Sequence, residues 1–448
     1  MAKKINNLNK LISFKVNNLK GVIEASPDKS ISHRALLFAS LSIGASKVSN
    51  LLESDDVLNM VRALKSLGVK ITKNKNTWII QGVGLTGFEE PPKAIDCGNS
   101  GTLVRILMGA LSSNNISVTL IGDQSLTKRP MFRIVQPLTA MGVNFETSDN
   151  KLPITIRGNS KLIPIKYKTP VSSAQIKTSI LLAGLNTMGI TEILEPHTSR
   201  NHTENLLDYF GADIKFNSTS KGSNKILIKG GSLLMAKEVE VPGDISSASF
   251  AIVAAAIVPN SKIKIINVGV NIYRIGILEA LEKMGANIKK DNYRLNKYNE
   301  PVSDIKVSFS ILKPIKIKST FSAKMIDEYP ILAIAAATAH GKSVFSGVSE
   351  LKHKESDRFN AIIEGLNKCG ILTNSKKDDI IIHGNRSNIR GGVTIDCNYD
   401  HRIAMAFIIL GAISAEPIEV VGCNSIFTSY PNFTEQMRSI GLNIRVKK

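Results

Sequence analysis

Residues 352–358, KHKESDR, set Lys352, Lys354, Glu355, Asp357 and Arg358 between the apolar segments VFSGVSEL and FNAIIEGL. Charge runs usually mark a solvated face, but apolar flanks on both sides leave a functional reading open. Glu355 stands beside Lys354 and close to Arg358, so its neighbours would set its protonation state. Asp327 precedes another apolar run, YPILAIAAA, where a carboxylate serves as helix cap or base. Two carboxylates and a lysine around an anionic substrate can carry general acid–base chemistry. Arginines mark where the anion would sit, because a planar guanidinium grips carboxylate or phosphate through two hydrogen bonds. Of the fifteen arginines, Arg34, Arg105, Arg129, Arg200, Arg358 and Arg402 fall within or beside such polar clusters.

DKSISHR gives Lys29, Ser30, His33 and Arg34, with Ser30 and Arg34 at an i, i+4 spacing on one helix face. GNSGTLVR supplies Gly98 and Gly101, where backbone N–H groups can approach a ligand closely. SLTKRPM puts Lys128 and Arg129 before Pro130 in an exposed turn, and YDHR puts Asp400, His401 and Arg402 ahead of the apolar run IAMAFIILGA. His33 and His401 are further acid–base candidates, while His197 and His202 lack a partner pattern and read as structural.

These clusters need elements to position them, and the sequence shows one construction six times. A polar group opens a small-residue-rich apolar helix in PDKSISHRALLFASL, GNSGTLVRILMGAL, VSSAQIKTSILLAGL, PGDISSASFAIVAAA, MIDEYPILAIAAATA and YDHRIAMAFIILGA. Such helices are apolar nearly all round and are expected to be buried. About 40 residues further on, each is followed by a helix end, a glycine and a β-branched strand. The glycines are Gly68, Gly142, Gly211, Gly285, Gly370 and Gly441, spaced 74, 69, 74, 85 and 71 residues apart. Each repeat reads as strand, buried helix, strand, helix and two strands, a unit too small to hold its own core.

The expected fold is α/β, two lobes of three βαβαββ-type units with buried helices and outer sheets. One lobe is placed at 21–241 and the other at 1–20 plus 242–448, with Pro242 and Gly243 marking the crossing. Helix N-termini carry a partial positive charge and unpaired N–H donors, so these ends, supplemented by Lys and Arg, make anion sites. Aimed into one cleft between the lobes, they would hold two highly anionic ligands.

The 448 residues are 43% apolar and 21% charged, the balance of a globular protein, and no apolar run approaches membrane-span length. MAKKINNLNKLISFKV lacks the apolar stretch of a secretory signal. Cys97, Cys369, Cys397 and Cys423 match no metal or redox spacing and read as free thiols. The net charge of +20 fits nucleic acid or small acidic molecules. Aromatic residues are only 5% and are absent from most clusters, which argues against stacking on nucleic-acid bases.

Taken together, DKSISHRALL, GNSGTLVR, GDQSLTKRPM, SSAQIKTSILLAGL, PGDISSASF, MIDEYPILAIAAA, KHKESDR and DHRIAMAF resemble the 5-enolpyruvylshikimate-3-phosphate synthases, from Lys15 to the C-terminus. The resemblance implies an inside-out α/β barrel in each lobe. It also implies transfer of the enolpyruvyl group of phosphoenolpyruvate to the 5-hydroxyl of shikimate 3-phosphate, with no metal or organic cofactor. By motif match, Lys29, Ser30, Arg34, Ser173, Gln175, Arg200, Asp327 and Lys354 would hold shikimate 3-phosphate. Lys29, Gly101, Arg129, Gln175, Glu355, Arg358 and Arg402 would meet phosphoenolpyruvate. Lys29, Asp327 and Glu355 would be catalytic.

A cytoplasmic monomer with no nucleic-acid or membrane partner is expected. The chain departs from the family pattern at FTSYP (427–431), which lacks a lysine, and at Ala174, where other members have a second serine. Gly101 stands where glyphosate-tolerant members often have alanine, so sensitivity to glyphosate is expected. The sister transferase acting on UDP-N-acetylglucosamine typically carries a cysteine in the loop matching IGDQSLTKRPM, and this loop has none.

Overall fold

The computed structural model describes residues 9–218 and 223–447. The chain forms two compact units. The first comprises Pro27–Val241 with the short segment Leu295–Glu300; the second comprises the residues up to Ser26, Pro242–Arg294 and Pro301–Lys448. Each has its own apolar core, one built around Leu36, Leu107 and Leu181, the other around Ala254, Ala335 and Ile408.

Each unit contains three four-stranded sheets of one design. In the sheet Lys166–Lys168, Ile190–Glu195, Asn224–Lys229 and Ile214–Ser218, the first pair is parallel and the others antiparallel. The parallel pair is bridged by the buried helix Ala174–Gly184. Strand composition follows from alternation: in NKILIK, Ile226 and Ile228 point into the core while Lys225 and Lys229 point out. The six shared glycines all end helices with positive φ, between 87° and 108°, as the repeat requires.

The six helices that open on polar clusters are Lys29–Leu41, Gly101–Leu111, Ala174–Gly184, Ile245–Ile257, Tyr329–Thr338 and His401–Gly411. Every residue of Ile245–Ile257 and of Tyr329–Thr338 is buried, which only small side chains allow at close packing. Between Gly101–Leu111 and Ala174–Gly184 the contact is tighter still. A Cβ on Gly109 would lie 2.3 Å from the Ser179 carbonyl oxygen, so a larger residue there would push the helices apart.

The expected lobe boundary at residue 21 needs correction. Lys20–Glu24 runs parallel to Lys262–Gly269 and belongs to the second unit, with Ile23 buried there. Glu238–Glu240 conversely pairs with Ile43–Ser49 in the first unit. The opening strands of the first and fourth repeats are thus exchanged where the chain passes between units. Lys10–Phe14 completes the sixth sheet, between Ile418–Val421 and Asn443–Val446. Among the described residues, no helix is long and apolar enough to cross a membrane.

Candidate active site

In the first unit, three buried helices begin with capping side chains. Asp28 accepts from the Ile31 N–H at 2.8 Å, Ser100 from Leu103 at 3.2 Å and Ser173 from Ile176 at 3.5 Å. Capping orders the first turn and aims the following residues. Lys29 pairs with Asp56 from the Asp55–Ser66 helix, a partner the sequence did not reveal. Ser30 accepts a 2.8 Å hydrogen bond from Arg200.

Arg129 donates to Asn99 Oδ1 at 2.6 Å and to Ser125 Oγ at 3.3 Å, while its Nε is buried without a partner. Lys128 beside it is exposed, so the pair read as one turn divides into a surface charge and a held guanidinium. Gly101 begins its helix against these cations: a Cβ there would lie 3.1 Å from Arg105 Nη1 and 3.2 Å from Arg129 Nη1. Arg105 donates to Gln175 Oε1 at 2.7 Å, and Gln175 Nε2 donates to Thr102 at 3.0 Å. Gly101, Arg129 and Gln175 are therefore gathered, with Arg105 as an added member.

Two residues singled out in the sequence sit in enclosed settings. Arg34, expected to meet substrate directly, is only 1% exposed. Its nitrogens donate to Thr203 Oγ1 at 2.7 Å, Thr178 Oγ1 at 2.8 Å and the Ser30 carbonyl at 2.9 Å. It braces Ser30 from behind. His33, a candidate acid–base group, is fully enclosed, and neither ring nitrogen has a hydrogen-bond partner. Burial, with the charges of Lys29 and Arg34, pushes its pKa well below the ordinary value. A neutral, enclosed imidazole is no proton donor.

The second unit holds the acids. Asp327, just ahead of Tyr329–Thr338, receives Lys354 Nζ at 3.1 Å and Arg358 Nη1 at 3.3 Å. Glu355 receives Arg358 Nη2 at 2.5 Å, and Asp400 receives Arg358 Nε at 2.8 Å. One guanidinium thus holds three carboxylates. Burial lowers the Arg358 pKa, but Asp400, Glu355 and Asp327 outweigh that and hold it above its usual value. Asp400 is raised by burial, yet the adjacent Arg358 more than compensates and leaves the carboxyl below the ordinary range. Asp400 also caps its helix, accepting from Arg402 N at 2.9 Å.

Arg358, expected to meet phosphoenolpyruvate, has 0% side-chain exposure and organises three carboxylates. Arg402 keeps a partly exposed head, donating to Ser246 Oγ at 2.6 Å and the Asp327 carbonyl at 3.0 Å, with Glu328 Oε1 at 3.6 Å. Ser246 in turn donates to Glu328. Asp244 caps Ile245–Ile257 and pairs with Arg274 at 3.1 Å. PGDISSASF reads in the sequence as a polar cluster opening a buried helix, and Ser246, Arg274 and Glu328 are not singled out there. The four cysteines are free and buried, with burial raising every thiol pKa.

Six βαβαββ units with polar and basic side chains at buried helix N-termini define an enolpyruvyl transferase fold. The enolpyruvyl transferase NikO from Streptomyces tendae shares that fold, with a TM-score of 0.77 over 98% of this chain and 99% of that one at 16% identity. A family model described as EPSP synthase (3-phosphoshikimate 1-carboxyvinyltransferase) matches residues 14–437. The 3-phosphoshikimate 1-carboxyvinyltransferase of Rhodospirillum rubrum is 41% identical over 95% of this chain and 96% of its own. That of Coxiella burnetii is 43% identical over the same shares. A solved EPSP synthase from Acinetobacter baumannii superposes with a TM-score of 0.86 at 39% identity, covering 98% of this chain and all of that one. The chain belongs to the EPSP synthase family.

Proposed function

We propose that this chain transfers the enolpyruvyl group of phosphoenolpyruvate to the 5-hydroxyl of shikimate 3-phosphate and releases phosphate. The observation that carries the reading is the shared arginine of the second unit. Arg358 holds Asp327 and Glu355 in place while both keep partial exposure, 21% and 26%. Two reachable carboxylates on separate elements can divide the roles of base and acid.

Asp327 takes the proton of the 5-hydroxyl as its oxygen bonds to C2 of phosphoenolpyruvate. The double-bond electrons pass to C3, which receives a proton from Glu355 assisted by Lys29, giving a tetrahedral adduct. Glu355, now a carboxylate, then takes a proton back from C3, which re-forms the double bond as the C2–O bond breaks and its electron pair leaves with phosphate. No metal or organic cofactor enters any step. Ser30, Ser173, Gln175, Arg200 and Lys354 hold shikimate 3-phosphate, with Arg34 behind Ser30. Lys29, Gly101, Arg129, Gln175 and Arg402 receive phosphoenolpyruvate, with Arg358 fixing the acids beside it. The support is chemical: together the substrates carry about five negative charges at neutral pH, each phosphate contributing about −1.5 to −2, and these side chains are cations and N–H or O–H donors.

A cytoplasmic monomer without a nucleic-acid partner completes the reading. Phosphate release should require shikimate 3-phosphate and phosphoenolpyruvate together; release with UDP-N-acetylglucosamine instead would replace the reading with that of the sister enzyme. Gly101 also leaves space beside Arg105 and Arg129, so millimolar glyphosate should inhibit, and unaffected turnover would refute that sensitivity.

A further inference from the structure

Beneath the shikimate 3-phosphate residues of the first unit lies a charge cluster that the reaction does not use. Lys177, on the Ala174–Gly184 helix, is 0% exposed, and its Nζ lies 2.9 Å from Glu195 Oε2 and 2.7 Å from Glu204 Oε1. Glu195 ends the strand Ile190–Glu195, and Glu204 sits in the first turn of the helix His202–Phe210. One ammonium therefore ties down both ends of the connection 196–201. It also donates to the Ser199 carbonyl at 3.5 Å, and Ser199 Oγ donates to Glu195.

The next residue is Arg200, which donates to Ser30 at 2.8 Å. Beside Glu204 is Thr203, which accepts from Arg34 at 2.7 Å and shares a 2.5 Å hydrogen bond with Thr178. Thr178 follows Lys177 on its helix and accepts from Arg34 at 2.8 Å. The cluster thus sits one residue away from each group that orients Ser30, Arg34 and Arg200. Burial lowers the Lys177 pKa, but the two glutamates more than offset this, while Glu204 is raised by its own burial. Buried charges forfeit solvation and are poor sources of stability compared with apolar packing. What they provide is fixed geometry.

We propose that Lys177 is a positioning residue for shikimate 3-phosphate, clamping Glu195 and Glu204 so that Arg200, and Thr203 through the Arg34 brace, present Ser30 in binding register. The inference rests on the functional reading above. Titration of the full chain with shikimate 3-phosphate alone, followed by calorimetry, tests it alongside steady-state kinetics. Lys177→Met should weaken shikimate 3-phosphate binding at least tenfold, with kcat at saturation within about threefold of the parent. Leu181→Ala, a core truncation on the same helix, should leave that affinity unchanged while lowering Tm.

If Lys177→Met does not fold, Glu204→Gln replaces it, with binding expected to weaken threefold or more. Parent-like affinity in a folded Lys177→Met chain, or in Glu204→Gln where that chain does not fold, overturns the positioning role alone. So does an equal loss of affinity in Leu181→Ala. Absence of binding by the parent chain overturns the functional reading and the inference together.

Discussion

Asp327 and Glu355 differ from Asp400 in access: all three touch Arg358, but Asp400 is sealed at 0% side-chain exposure and only the first two can reach a substrate. Asp327→Asn and Glu355→Gln keep shape and one acceptor oxygen each while removing the proposed base and the proposed acid. Each should lower kcat by about 10²–10⁴-fold, the usual contribution of a placed acid or base, with KM changed far less. Full turnover in either variant ends that residue's catalytic role. His33 yields a separate test. Its folded pKa lies below the unfolded value of about 6.5, so the unfolded chain binds the extra proton. Its contribution is intact above that pH and declines as pH falls from about 6.5 toward the folded pKa, by up to about 1.4 kcal/mol per pH unit. Denaturant midpoints of His33→Leu should therefore fall less between pH 6.5 and 5.5 than those of the parent; parallel curves would exclude His33 as the source. The sequence showed Asp327, Glu355 and Arg402 because each stands beside other charges ahead of an apolar run. It hid Asp56 and the Arg358–Asp400 pair, 42 residues apart, because ion pairing between distant positions leaves no local pattern.

Helix ends were legible for a similar reason. A left-handed residue strongly prefers glycine, so six glycines at near-equal spacing announced six helix–strand turns before any coordinates. Their environments differ, and stability should follow. At Gly285, φ is +87° and an added Cβ would meet nothing nearer than the Ile311 carbonyl at 4.0 Å. Gly285→Ala should then cost only the left-handed strain, about 1–2 kcal/mol. Gly370 has the same φ, but a Cβ there would lie 2.6 Å from the Asn388 carbonyl oxygen, so Gly370→Ala should be the more destabilising. Equal losses in chemical denaturation would show that backbone conformation alone decides. The exchanged strands Lys20–Glu24 and Glu238–Glu240 could not be foreseen. Both belong to repeats of one design, and apolar alternation says that a strand needs an edge without saying which equivalent edge it takes.

The net charge of +20 comes from 57 basic residues against 37 acidic ones. The arginines at the helix ends are few and largely engaged, as Arg34 and Arg358 show, so most of the excess is lysine spread over the surface. Scattered lysines bind nothing specifically, but their summed field raises the local concentration of anionic substrates and speeds encounter. That field is screened as the Debye length shrinks, from about 10 Å at 0.1 M salt to about 3 Å at 1 M. Buried contacts such as Arg358–Asp400 are screened much less. Raising potassium chloride from about 0.02 M to about 0.5 M, a Debye-length change of roughly fivefold, should therefore raise KM for both substrates severalfold. The value of kcat should hold within about twofold, because Asp327 and Glu355 stay paired with Arg358. A fall in kcat at constant KM would reverse the assignment, placing the salt-sensitive charges in the chemistry and not in the approach of substrate.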